Sequence, residues 1–157
     1  MIERTLKSKI TSLAQKFQVI TLTGPRQSGK TTLIRATFPD LPYVSLEEPD
    51  IRQIALTDPR GFLSNYPNGA ILDEIQNTPE LFSYIQRIVD ENRKIQFILT
   101  GSSNFLLMEK ISQTLAGRTA VLHLLPFSLQ ELEPLADSYE NLIFKGQYPR
   151  IYDRTIP

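Results

Sequence analysis

The sequence predicts an α/β sandwich, with helices packed on a mostly parallel sheet. Two observations predict it. Short runs rich in aliphatic and β-branched residues alternate with longer stretches of helical periodicity through most of the 157 residues. Strands that alternate with helices indicate a parallel sheet, since each crossover returns the chain to the same end of it. The second observation is local. Gly24-Pro25-Arg26-Gln27-Ser28-Gly29-Lys30-Thr31-Thr32 fits G-x-x-x-x-G-K-[ST] and lies between a strand and a helix. That context is what a phosphate-binding loop requires.

Taken in order, Leu6, Ile10, Leu13 and Phe17 are spaced by four, three and four, which predicts an amphipathic helix over 3–16. A buried strand follows at 18–23 (QVITLT) and a helix at 29–37 (GKTTLIRAT). Residues 42–46 (PYVSL) are short and extended, and 49–66 are helical in pattern with a break at Pro59. A third strand is expected at 69–74 (GAILDE). It precedes a helix over 79–92, with Thr78 as N-cap and Pro79 at the first helical position. Residues 94–100 (KIQFILT) form a fourth strand, 103–116 a helix and 119–125 (TAVLHLL) a fifth strand. Ser128 with Glu131 three residues on has capping-box spacing. The tail from 145 is rich in turn residues, with no terminating element expected.

Composition excludes several functions. Seventeen basic and seventeen acidic residues give zero formal charge, so bulk charge does not support nucleic-acid binding. Cysteine is absent and there is one histidine, which excludes disulfides, thiolate metal sites and His-rich sites. The N-terminus has no apolar core of a secretion signal, and no apolar run approaches the roughly 18 residues that span a bilayer. A soluble, cytoplasmic protein without membrane contact is expected.

The chemistry centres on the loop, a Walker A sequence. The loop runs Gly24, Pro25, Arg26, Gln27, Ser28, Gly29, and its consecutive backbone N–H groups, Pro25 having none, form an anion-binding nest. The helix beginning near Gly29 adds unpaired N–H groups and the positive end of its dipole. Lys30 reaches the β- and γ-phosphates, Thr31 ligates Mg²⁺, and Thr32 is placed for the α-phosphate. Ala70-Ile71-Leu72-Asp73-Glu74 is the Walker B counterpart: an apolar strand running into two carboxylates at its C-terminal end, where open α/β sheets bind ligands. Asp73 is placed to hold Mg²⁺ with Thr31, and Glu74 to polarise an attacking water. The fourth strand runs into Ser102-Ser103-Asn104, one of which is positioned to touch the γ-phosphate or the water; capping of the next helix is the alternative. Arg118 follows Gly117 at a helix end. It suits a guanidinium contact to a neighbouring subunit's γ-phosphate, and equally a cation at a helix C-terminus. His123 reads as a core or edge residue, and Leu106, Leu107 and Ile111 as core.

The segments GPRQSGKTT (24–32), AILDEIQNTPELFSYIQRIVDE (70–91), FILTGSSNFLL (97–107), SQTLAGRTAVLHLLPFSLQEL (112–132) and KGQYPRIYD (145–153) together resemble the bacterial and archaeal AAA-like P-loop ATPases usually followed by a C-terminal domain of unknown function. The resemblance runs through nearly the whole chain. It implies a P-loop NTPase three-layer sandwich with a five-stranded sheet of order 5-1-4-3-2. It also implies ATP rather than GTP, Mg²⁺, hydrolysis coupled to a conformational change, and a homo-oligomer in which Arg118 acts in trans. Residues 1–157 are then a single ATPase core, with 145–157 the start of the following region and the relatives' C-terminal domain absent. A nucleotide-binding switch or assembly platform with little turnover is the alternative reading. A small-molecule kinase is disfavoured by Glu74 beside Asp73 and by the lack of an arginine-rich lid. A GTPase is disfavoured by the absence of N-K-x-D and by Gln76, not Gly, three residues after Asp73.

Overall fold

The computed structural model describes residues 2–102, 105–133 and 138–152. Five parallel strands form one sheet: β1 (Val19–Gly24), β2 (Tyr43–Ser45), β3 (Ile71–Asp73), β4 (Phe97–Ser102) and β5 (Thr119–His123). Their order is β2-β3-β4-β1-β5, which is 5-1-4-3-2 read from the other edge. The helices are α1 (Leu6–Ala14), α2 (Lys30–Thr37), α3 (Pro49–Thr57), α4 (Pro59–Ser64), α5 (Leu81–Glu91), α6 (Phe105–Thr114), α7 (Leu129–Leu132) and α8 (Tyr139–Lys145).

Alternation along the strands builds the layers. In β1, Val19 faces one apolar core while Ile20 and Leu22 face the other; in β4, Phe97 and Leu99 oppose Ile98 in the same way. Ile10 of α1 and Leu33 and Ile34 of α2 fill one side with Ile20, Leu22, Ile71 and Ile98. Ala55, Phe62, Leu63, Leu81, Phe82, Ile85, Val89 and Ile111 from α3 to α6 fill the other. All six positions of β1 are buried, as expected for a strand covered by helices on both faces. A third, smaller cluster joins Phe127, Leu132 and Leu142 to Ile2 and Tyr152, bringing both ends of the described chain together.

Most expected elements are present, with shifts that have physical reasons. The 49–66 segment is two helices, because Pro59 has no N–H to continue α3 and Asp58 starts α4 by accepting from the Gly61 N–H at 2.9 Å. The third strand stops at Asp73: Glu74 adopts φ 57°, and a 3₁₀ turn spans Ile75–Asn77. That turn delays α5. Thr78 does not cap it; its carbonyl, not its hydroxyl, accepts from the Leu81 N–H at 3.1 Å, and the helix begins at Leu81. The Ser128–Glu131 capping box forms on α7, as expected. Helix α8 lies just before the turn-rich tail, where no separate element was expected. Ser138 caps it and Gly146 ends it, and a 3₁₀ turn follows at Pro149–Tyr152. His123 is exposed on the edge strand and Ile111 is buried. The side chains of Leu106 and Leu107 lie outside the described part.

Candidate nucleotide site

The loop connecting β1 to α2 has the backbone its sequence demands. Gly24 sits at φ 154°, and a Cβ there would stand 2.1 Å from the Leu124 carbonyl oxygen, so no other residue lets β5 run this close. Gln27 at φ 63° and Gly29 at φ 92° take left-handed backbone, the kind an anion-binding nest of N–H groups is built with. Gly29 is the N-cap of α2, leaving that helix's first N–H groups for a ligand.

Lys30 is nearly buried, and its Nζ donates to the carbonyls of Gly24 (3.0 Å) and Pro25 (2.9 Å). Burial draws its ammonium below the ordinary lysine range; Glu74 and Asp73 partly offset this, and Arg26 adds to it.

Asp73, buried at the end of β3, accepts three hydroxyl hydrogens. Thr31 Oγ1 donates to Oδ2 at 2.8 Å, Tyr43 OH donates to the same oxygen at 2.7 Å, and Thr100 Oγ1 donates to Oδ1. Sheet register explains the Thr100 contact. Leu72 pairs with Leu99, so the next step brings Asp73 beside Thr100; Tyr43 comes from β2 on the other flank. The Arg35 guanidinium lies 4.8 Å from the centre of the Tyr43 ring. Burial, with the hydrogen bond to Asp73, pushes the Tyr43 phenol up to about 12. Tyr43 and Thr100 were not singled out from sequence. Thr100 was legible in principle, as a polar residue one step along from a partner of Leu72, but only with the register in hand.

Glu74 stands beside Asp73 in left-handed geometry, which an L residue rarely adopts. The kink turns its carboxylate out of the strand's alternation, where the Gln76 side-chain amide donates to it. Ser102 pairs with Gly24 across β1 and β4, which places it beside the first residue of the loop. Ser103 and Asn104 lie outside the described residues.

Arg118 is elsewhere. It precedes Thr119, the first residue of β5, at the end of the sheet opposite the loop. Its guanidinium donates to Asp90 through Nε (2.6 Å) and Nη2 (2.9 Å), and to the Ala116 carbonyl (3.0 Å). The five residues of β5 put it about 16 Å from the loop end of the sheet. Arg118 cannot serve its own chain's loop.

A residue absent from the sequence reading also reaches the loop. The buried Arg4 guanidinium donates through Nη1 to the Ser28 carbonyl at 3.0 Å.

A family model described as an AAA domain matches residues 16–133. The chain belongs to the AAA domain family. Its fold and motifs are those of an AAA-like P-loop ATPase core. Among AAA relatives, the uncharacterised protein Rv2008c of Mycobacterium tuberculosis is 30% identical over 148 residues, covering 93% of this chain and 33% of its own length. The uncharacterised protein MJ1544 of Methanocaldococcus jannaschii is 27% identical over 161 residues, covering 96% and 34%. The chain thus spans about a third of the length of these curated relatives. The Walker-type ATPase PABY2304 of Pyrococcus abyssi shares the AAA fold, with a TM-score of 0.60 at 20% identity over 90% of this chain and 61% of that one. Among the described residues, no helix is long and apolar enough to cross a membrane.

Proposed function

We propose that this AAA domain binds ATP with Mg²⁺ and hydrolyses it, and that turnover drives or resets a conformational change. One observation carries the reading. The Thr31 hydroxyl, next to the loop lysine in sequence, meets the Asp73 carboxylate at 2.8 Å, with Glu74 the next residue along.

The chain's own groups divide the work. The loop backbone and the start of α2 hold the phosphates, and Lys30 exchanges its carbonyl partners for phosphate oxygens. Thr31 and Asp73 offer hard oxygen donors, the set that suits Mg²⁺ when phosphate oxygens complete it. When bound, the ion neutralises charge on the transferring phosphoryl group. Thr100 and Tyr43 orient Asp73 for that task. Glu74 takes the proton of the attacking water, and the half-buried Ser102 is positioned near the γ-phosphate.

Phosphate release from ATP and GTP, measured with and without Mg²⁺, tests this. Glu74→Gln is expected to bind ATP as the parent does and to lose at least about 100-fold in turnover. Full turnover in that variant overturns the base assignment.

The position of Arg118 favours a second reading. Held on Asp90 at the far end of the sheet, it completes a site only on a neighbouring copy. A lone chain is then a nucleotide-binding switch or assembly platform with little turnover. Tight ATP binding with negligible turnover in the dilute chain, rising only as the chain is concentrated, would favour it.

A further inference from the structure

Arg4 carries a buried charge that nothing in the nucleotide chemistry above uses. Its surroundings are built, not incidental. Besides Ser28, the guanidinium donates to the carbonyls of Leu125 (2.6 Å) and Pro126 (3.4 Å) and, through Nε, to Glu131 Oε1 at 3.3 Å. It lies 4.6 Å from the centre of the Phe127 ring. Glu131 is fixed in turn: the Thr5 N–H donates to Oε1 at 2.8 Å and the Ser128 N–H to Oε2 at 2.9 Å. Behind the loop, a Cβ added to Gly29 would meet Pro149 Cγ at 3.4 Å and Arg4 Nη1 at 3.8 Å. The Phe127 N–H donates to the Gln147 carbonyl at 2.8 Å, and Tyr152 packs edge-on against Phe127. Residues from the start of the chain, from the segment after β5 and from the final 3₁₀ turn therefore converge on the back of the phosphate loop.

The consequence follows from peptide geometry. In a trans peptide the C=O and the next N–H point in opposite directions. All peptide bonds of the described chain are trans. Holding the Ser28 carbonyl against Arg4 therefore aims the Gly29 N–H away from Arg4, toward the open side of the loop. The planar fork can satisfy several carbonyls and a carboxylate together, and an ammonium on a flexible stem cannot reproduce that arrangement.

We infer that Arg4 is a positioning residue of the nucleotide site: it orients the Ser28–Gly29 peptide for phosphate and ties loop occupancy to the cluster of Phe127, Leu132, Leu142 and Tyr152. The inference rests on the nucleotide-binding reading above. Loading the loop tightens the segments that share the guanidinium, namely 125–131 and 147–152.

Two measurements test it. The first is equilibrium binding of a fluorescent, non-hydrolysable ATP analogue with Mg²⁺ to the parent chain, Arg4→Lys and Val89→Ala. Arg4→Lys is expected to weaken binding about tenfold, whereas Val89→Ala, which loosens the core on the other side of the sheet without touching the loop or this cluster, stays within about twofold. The second is amide hydrogen exchange of the parent chain with and without the analogue. Residues 125–131 are expected to gain protection on binding. No binding by the parent overturns the nucleotide reading itself. Parent binding with equal affinity in Arg4→Lys, an equal loss in Val89→Ala, or unchanged exchange at 125–131 overturns the role of Arg4 and leaves the nucleotide reading standing.

Discussion

At the residue scale, two charged side chains separate binding from stability. Lys30 holds two loop carbonyls, which the proposed function has phosphate oxygens replace. Lys30→Ala is expected to weaken ATP binding more than tenfold in an equilibrium titration while the fold persists, because a short side chain leaves the loop backbone intact. Glu131 acts on folding. Burial would raise its carboxyl, but N–H donors from Ser128 and Thr5, with the Arg4 charge, hold it below the usual carboxylate range. A depressed folded-state value stabilises above the unfolded carboxyl value of about 4.3, and that stability is lost as pH falls through the folded value. Glu131→Gln is expected to lower stability by about 1–3 kcal/mol at pH 7 and by progressively less as pH falls through the folded carboxyl value, read from urea midpoints along an acid series. These residues were unequally legible. Gly24 to Thr32, Asp73 and Glu74 announce themselves because phosphate and metal chemistry dictates residue types at fixed local spacing. Arg4, Tyr43 and Thr100 do not: each is defined by a partner tens of residues away or more, and no short-range pattern encodes that pairing.

At the element scale, periodicity and turn chemistry located the strands and most helices, and the misses share one cause. The strand around 70–74 ends one residue early and α5 starts two residues late, because the strained Glu74 and the 3₁₀ turn after it take up the intervening chain. Propensity sees Thr78-Pro79 as a helix start; it does not see a carboxylate being turned out of a strand toward a site. The same site dictates the junction of β1 with its loop. Gly24→Ala sets a Cβ against the Leu124 carbonyl. It is expected to cost about 1–3 kcal/mol in a denaturant titration, as overpacking against backbone does, and to weaken ATP binding as the loop shifts with β5. A variant as stable as the parent would mean that β5 yields freely there.

At the scale of the whole molecule, the two ends of the sheet carry different halves of the proposed chemistry. The loop, Asp73 and Glu74 lie at the C-terminal ends of the strands, and Arg118 lies at the opposite end on Asp90. If Arg118 acts in trans, turnover per chain is expected to rise with protein concentration, and Arg118→Ala to abolish that rise. Asp90→Asn frees the guanidinium while keeping the side-chain shape, so it should leave the rise in place. Phosphate release over a hundredfold range of concentration checks all three chains. An unchanged concentration dependence in Arg118→Ala rules the trans role out.

The sheet order has a consequence for the order in which the chain can acquire its site. The strand that carries the phosphate loop comes first in sequence, yet its two neighbours, β4 and β5, come last. Until β4 has been made, β1 has no strand to pair with, and until the chain passes β5 the loop has neither the Leu124 carbonyl beside it nor the Arg4 contact to Leu125. Such wide separation of paired strands slows folding and prolongs exposure of apolar β segments. A nascent chain leaving the ribosome therefore carries a complete phosphate-loop sequence long before it owns a phosphate site, and nucleotide capture marks the end of folding of this domain.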